Sequence, residues 1–547
     1  MIKKLLFLFT LLTFCINQAQ NTVGTISITE DAYDAYTLIS VNTKAFLINN
    51  CGQVINEWNS TYLPGNAVYL LPNGNLLRAG RVDDGSSNIN FGGAGGIVEL
   101  FDWDGNLVWS YLYNNNEMRQ HHDIFPMPNG NVLILAATSM TSSEAVEAGR
   151  DPNLLTQNRL YNEQIIEVEP VGTNQVNVVW EWNANDHLIQ DFDNTKSNFG
   201  NVSMSPEKLD INFLNGNSGN ANWLHFNSIQ YNENLDQIVI SSRNLSEIYI
   251  IDHSTTTLEA SGDIGGIYGK GGDFLYRWGN PQSYKQGTEQ DRKLYGQHYP
   301  HIIESGLVDE GKIIIFNNGN GRTPQFSEVQ IIDPPKESPG FYSYTTDTAY
   351  GPETVDYTYS DQSETPAPFF SNIVSSAQRL PNGNILICEG QNGEVFEIDS
   401  NENIVWEYIN PVNNINGTVS SQGNPPPTVG IIFRAIKYAQ DFPAFTGRDL
   451  TPGNPIELNA DISECESLNV DDFEISAFKI YPNPTRDFIT ISSEATIDKI
   501  ELYSILGEKV YQSGQNTVVD LTSFNTGIYF AKIYSGDRSI TKKIIKN

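Results

Sequence analysis

Short apolar runs alternate with turn residues along most of the chain. Helical periodicity is nearly absent, so strands are the expected elements. The runs repeat. Leu71-Pro-Asn-Gly-Asn-Leu-Leu, Met127-Pro-Asn-Gly-Asn-Val-Leu-Ile-Leu and Leu380-Pro-Asn-Gly-Asn-Ile-Leu-Ile-Cys388 share a turn followed by a β-prone strand. Asn-Gly favours the positive φ angles of tight hairpins. A second motif follows in Ile97-Val-Glu-Leu-Phe-Asp-Trp-Asp-Gly-Asn-Leu-Val-Trp109 and in Val395-Phe-Glu-Ile-Asp-Ser-Asn-Glu-Asn-Ile-Val-Trp-Glu-Tyr408. Looser copies end in Val179-Trp-Glu-Trp182 and Tyr276-Arg-Trp278. Each reads as strand, Asp-containing turn, strand and closing aromatic.

Four strands per unit, with aromatics between units, describe a blade of a β-propeller. Full units fall near 66–112, 123–186, 227–281, 298–360 and 376–411. A half-unit at 45–58 has no partner of its own, and neither has Ile431-Ile-Phe-Arg-Ala-Ile-Lys-Tyr438. Placed in one sheet they make a sixth blade. The fold class expected is therefore all-β: a six-bladed β-propeller over 21–445, a linker over 446–472 and a small β-sandwich over 473–547. The inserted loops 81–95, 139–160, 187–220 and 410–430 are where a site would be shaped.

Charge and the termini narrow the function. Asp and Glu number 65 against 32 Lys and Arg, a formal charge of −33. That excludes a basic nucleic-acid footprint and docking on anionic lipid. Aromatics at 11% argue against disorder. Lys3 and Lys4 precede the apolar run Leu5 to Ile16 and then Asn-Gln-Ala-Gln, the pattern of a signal peptide over 1–20. No later stretch reads as a membrane span. Cys15 leaves with the signal, and Cys51, Cys388 and Cys465 predict one disulfide and one free thiol in an unassigned pairing. No Cys or His spacing suggests a metal site.

The last segment carries Ile480-Tyr-Pro-Asn-Pro-Thr-Arg-Asp-Phe488, Ile500-Glu-Leu-Tyr-Ser-Ile-Leu-Gly-Glu-Lys-Val510 and Thr526-Gly-Ile-Tyr. It resembles the C-terminal sorting domain of type IX secretion cargo in Bacteroidetes. The resemblance implies the type IX machinery as a partner and delivery to the cell surface or beyond.

Only seven His occur, and three units open on one: His121-His122-Asp123, His225 in Asn222-Trp-Leu-His-Phe-Asn-Ser228, and His298 in Tyr295-Gly-Gln-His-Tyr-Pro300. Matching positions of successive blades converge on a propeller's axis, so these histidines are expected together. The plainer reading is that each ties a neighbouring blade. Arg243, in Ser241-Ser-Arg-Asn-Leu-Ser, is a charge inside a β-rich run. Buried charge needs a partner, so Arg243 faces either a carboxylate or an anionic ligand.

The His225-to-Arg243 block, with His121-His122-Asp123 and with Gln297-His298 followed by Ile313-Ile-Ile-Phe-Asn-Asn-Gly319, resembles the bacterial arylsulfate sulfotransferases over roughly residues 30–445. The resemblance implies sulfuryl transfer from a phenolic sulfate ester to a phenol through a sulfated histidine, with no cofactor and no phosphoadenosine phosphosulfate. It implies His298 as nucleophile, His225, Asn227 and Arg243 around the sulfuryl oxygens, and one of His121 and His122 at a reacting oxygen. A late-blade hydroxyl is implied too, from Ser371, Ser375 or Ser376. Two departures stand out. The family's enzymes carry a substantial N-terminal β domain, whereas only about 20 residues precede the first blade strand here, and Asn317-Asn318 stand where an Asp is frequent. A non-catalytic propeller binding glycan or protein is the alternative from another class.

Overall fold

The computed structural model describes residues 21–463, 465 and 478–547, apart from 494–495, 506–507, 516 and 536–537. The expected signal peptide, with Cys15, and most of 464–477 lie outside the described residues. The protein is all-β, with 42% strand against 6% helix. It divides into two compact units, Met1–Ile462 and Ser463–Asn547.

The first unit contains six sheets of four strands or more. The first sheet joins Ile436–Ala439 to Ala35–Val41, Lys44–Ile48 and Val54–Asn59. Ala35 pairs with Ala439, so the two unpaired ends of the repeat do share a sheet. The next four open on Leu63–Leu70, Met118–Pro126, Phe226–Asn232 and His298–Ile302. The sixth runs from Ser376–Arg379 to Ile404–Ile409 and carries a fifth strand, Gly24–Ile28, on its outer edge.

Ala35–Val41, Leu63–Leu70, Met118–Pro126, Phe226–Asn232, His298–Ile302 and Ser376–Arg379 pack on one another in this order. The sixth then reaches the first, because Gln378 donates to the Lys437 carbonyl at 3.0 Å and accepts the Lys437 N–H at 2.8 Å. Tryptophans on the outer strands bind the sheets in the same order. Trp58 Nε1 donates to the Asp102 carbonyl, Trp109 to Gln175, Trp182 to Gly272, Trp278 to Pro352, and Trp406 back to Asn50 of the first sheet. A buried indole needs one acceptor, and the neighbouring sheet's backbone supplies it.

The Pro-Asn-Gly-Asn turns are three copies of one geometry. Leu71, Met127 and Leu380 each receive the N–H of the Gly and donate to the carbonyl of the second Asn. Only the glycines, Gly74, Gly130 and Gly383, take positive φ, of 88°, 89° and 91°. That is a type I turn closed by a left-handed glycine, not a turn with two positive angles as Asn-Gly suggests. Cys388 is the free, buried thiol, and Cys51 and Cys465 are disulfide-bonded.

The second unit has a three-stranded sheet (Phe478–Tyr481, Phe488–Ser493, Val518–Asp520) and a four-stranded one (Lys509–Ser513, Lys499–Ser504, Gly527–Ser535, Arg538–Lys546). Alternate residues Ile489, Ile491, Ile500, Leu502 and Ile533 meet in one apolar core.

Candidate active site

The opening strands are interrupted near their first residues. Each of the third, fourth and fifth sheets has a bulge there, which re-aims side chains out of the pleat. His122, His225 and Tyr299 sit in the left-handed region with φ near 50°. For a non-glycine residue this conformation is strained and clusters at functional sites. It also corrects the phase of the repeat. His122 and His225 occupy the left-handed position itself, whereas His298 and His121 precede it. The histidines therefore come from two neighbouring positions of the repeat, not one.

His121 is fully buried and both its ring nitrogens are engaged. Nε2 lies 2.9 Å from Glu163 Oε2, and Nδ1 lies 2.9 Å from His122 Nδ1. The other Glu163 oxygen accepts the Phe226 N–H at 2.9 Å. A carboxylate only accepts, so His121 gives it the Nε2 proton and its Nδ1 receives the His122 Nδ1–H. His122 is left with a lone pair on Nε2. The ring of His122 lies 4.7 Å from that of His225. So His122 stands within the cluster, and His121 orients it. Gly93 makes the room: a Cβ there would lie 2.0 Å from His122 Nε2.

His298 is held by an equally directional contact. Its Nδ1 lies 2.7 Å from Asn318 Oδ1. The Asn318 amide nitrogen donates to the carbonyls of Ser371 and Val374, at 2.8 and 3.0 Å. Carbonyls cannot donate, so the amide has one orientation and Oδ1 must face the ring. The proton is then on Nδ1 and the lone pair on Nε2.

Arg243 has no carboxylate within salt-bridge distance among the described residues. Its nearest polar contacts are long, 3.4 Å to Asn244 Oδ1 and 3.5 Å to the Asn372 carbonyl. Of the two partners expected for Arg243, the carboxylate is thus missing. A second guanidinium, Arg434, is neutralised by Asp123 at 2.8 Å and lies 3.8 Å over the Tyr299 ring.

These groups act on one another. Burial, and then the neighbouring His225, His121, His298 and Arg243, hold His122 well below the usual imidazole range. Burial and then Arg243 do the same to His225. His298 is pushed down to about 3 by burial and then by Arg243. The cluster is a site of uncharged imidazoles facing an unpaired cation, a field that favours an anion.

The remaining expected residues lie around this cluster. Asn227 is fully buried and donates to the carbonyl of Gln297, next to His298, at 2.8 Å. Ser375 Oγ contacts Ser371 Oγ at 2.9 Å and accepts the Gly390 N–H at 3.0 Å. Ser376 Oγ accepts the Ala435 N–H at 3.4 Å. Ser371 and Ser375 belong to the turn whose carbonyls receive the Asn318 amide, whereas Ser376 ties its strand to Ala435. Four further residues were not singled out from the sequence: Phe91, Glu163, Asn222 and Arg434. Phe91 packs on His121 at 4.9 Å and on His225 at 5.7 Å between ring centres. The glycines of Phe91–Gly96 were its available signal. A pocket of about 310 Å³ opens beside His225.

Residues 83–422 match the family model described as Arylsulfotransferase (ASST). Residues 479–547 match the secretion system C-terminal sorting domain, which implies export to the cell surface or extracellular space. Among the described residues no helix is long and apolar enough to cross a membrane. An ulvan lyase, NLR42, of Nonlabens ulvanivorans is 26% identical over 181 residues, 29% of this chain and 34% of that protein. The chain thus spans about a third of the length of that curated relative. A protein of unknown function from Bacteroides caccae is 11% identical with a TM-score of 0.38, over 74% of this chain and 98% of that chain. A virginiamycin B lyase from Staphylococcus aureus is 10% identical with a TM-score of 0.31, over 71% of this chain and 88% of that chain.

Proposed function

The chain belongs to the arylsulfotransferase family, and on that premise we propose that it is an exported aryl-sulfate sulfotransferase working through a sulfated histidine, independent of phosphoadenosine phosphosulfate. We read its first unit as a six-bladed propeller and its second as the β-sandwich sorting domain, joined by the linker 446–472. Donor and acceptor are a phenolic sulfate and a phenol.

The observation that carries this reading is the pairing of a neutral His298, with its proton fixed on Nδ1, and an Arg243 that lacks a carboxylate. Sulfuryl transfer resembles phosphoryl transfer, with a loose in-line transition state and charge on the peripheral oxygens. His298 Nε2 attacks sulfur while the bond to the aryl oxygen breaks and phenolate leaves. Arg243 and His225 stabilise the sulfuryl oxygens. Asn227 holds the strand of His225 against the backbone of Gln297. In the second half-reaction the acceptor oxygen attacks, the N–S bond breaks, and His122 Nε2 takes the acceptor proton and passes it to solvent, which balances the phenolate released in the first half. Neither half consumes another reagent. Glu163 and His121 fix the His122 tautomer, as the third member of a catalytic triad does.

The test is intact-mass analysis after incubation with p-nitrophenyl sulfate in the absence of acceptor. The wild-type protein should gain one sulfuryl group and His298→Ala none. No gain in the wild type, or equal gain in both, removes His298 as nucleophile and leaves a binding propeller as the better description.

A further inference from the structure

The pocket beside His225 is not built for a purely aromatic guest. Five carboxamides line it: Asn90, Gln157, Asn220, Asn222 and Asn244. Its apolar faces are the rings of Phe91 and Tyr161, 5.8 Å apart between centres. No carboxylate or ammonium group is among its walls.

Several of these amides hold hydrogen-bonding capacity in reserve. Among the described residues the Asn90 side chain has no partner. Gln157 uses only Oε1, which accepts the Ala221 N–H at 2.7 Å. Asn222 sets its nitrogen on His225 Nδ1 at 2.6 Å, and its Oδ1 is buried with no partner. An unsatisfied buried acceptor is costly unless a ligand fills it. Each amide offers donors beside an acceptor, the complement of neighbouring hydroxyls on one ring. Aromatic faces beside such amides suit the C–H face of the same ring. A bare phenol would bury this polar wall and satisfy little of it.

We propose that this pocket is an acceptor subsite for a neutral, polyhydroxylated sugar ring, so that the protein sulfates a glycan hydroxyl as well as a phenol. The inference rests on the sulfotransferase reading. The transfer balances as before: a sugar hydroxyl oxygen forms the O–S bond, the His298 Nε2–S bond breaks, and the hydroxyl proton passes to His122 Nε2. An aryl sulfate is the donor because phenolate is the better leaving group.

The experiment has two independent arms. Binding is measured by calorimetry and ligand-observed NMR on His298→Ala, with the methyl glycosides of glucose, galactose, xylose and rhamnose and with phenol. Transfer is measured on the wild type by mass spectrometry, with p-nitrophenyl sulfate as donor. At least one glycoside should bind saturably and become sulfated. Asn90→Leu and Gln157→Leu should each weaken that binding about 5–10-fold, the value of one hydrogen bond or slightly more. Asn90 is exposed and unpartnered, so its variant keeps the fold. Saturable binding of phenol with none of the glycosides overturns the proposal. So does glycoside binding that both variants leave unchanged, or binding without sulfation in a protein whose His298 is sulfated. Failure of His298 sulfation with glycoside binding intact would instead refute the chemistry and keep the subsite.

Discussion

Two histidine environments in the same unit are built in opposite ways. His253 lies between two carboxylates, with Nδ1 2.7 Å from Asp236 and Nε2 2.9 Å from Glu167. Their hydrogen bonds overcome its burial and raise it to about 9, and Glu167 is held down to about 2. His298 has an amide where His253 has an acid, and Arg243 where His253 has a second acid. Burial and then the Arg243 charge outweigh the hydrogen bonds of Asn318 and of the Gly296 backbone, and it falls to about 3. The first histidine already holds its anions and clamps two sheets. The second is kept uncharged and lacks one. The difference shows how one residue type becomes either a fastener or a nucleophile: neighbouring acids decide.

The comparison can be broken most severely at the nucleophile. His298→Ala should lower p-nitrophenol release and transfer by at least about 10³-fold, measured as kcat/KM. Arg243→Ala should cost about 10²–10³, the usual loss for one donor to a developing charge, and still permit slow histidine sulfation. Arg243→Lys should recover only part, because an ammonium lacks the planar fork that spans two oxygens.

Converting one environment toward the other is a sharper test. Asn318→Asp gives His298 the acid that His253 has. Its imidazole should then titrate well above its present value of about 3, read by NMR. Turnover should fall roughly 10–100-fold and become sensitive to acid. In the wild type, His298 should stay unprotonated from pH 7 to about pH 4, and a pH–rate profile should show no loss from its ionisation there.

Stability should show the smallest effects, with opposite signs at the two places. His253 is raised above the ordinary value, so its contribution is full below about pH 6.5 and fades as pH rises through about 9. His122, His225 and His298 are depressed, so they cost stability as pH falls below about 6.5, where the unfolded chain takes up protons. His253→Gln should therefore lose about 1–3 kcal/mol at pH 6 and less at pH 10 in denaturant titrations, with sulfuryl transfer unchanged.

What the sequence disclosed follows from periodicity. The Pro-Asn-Gly-Asn turns announced hairpins, and the orphaned segments at 45–58 and 431–438 announced a shared sheet. Gly24–Ile28 was missed because an added edge strand has no counterpart in the repeat. The histidines were found by their rarity, but their phase was misread by one residue, since a bulge consumes register without leaving a mark on composition. The choice between His121 and His122 needed the ring contacts to Glu163 and His225. Phe91 sits in an aperiodic loop, where no spacing rule reaches.

The first sheet has one more consequence, for the order in which the molecule is made. Its inner strand, Ile436–Ala439, is synthesised some 400 residues after its neighbour Ala35–Val41. Until it arrives, Ala35–Val41 is an open edge with unpaired backbone groups, a template for self-association. Contacts of such sequence separation also form slowly. The fully buried Lys437–Glu397 ion pair, at 2.6 Å, completes only at the same step. The first sheet therefore keeps an exposed edge until 439 of the 547 residues have been made, and Ile436–Ala439 acts as the latch that ends that exposure.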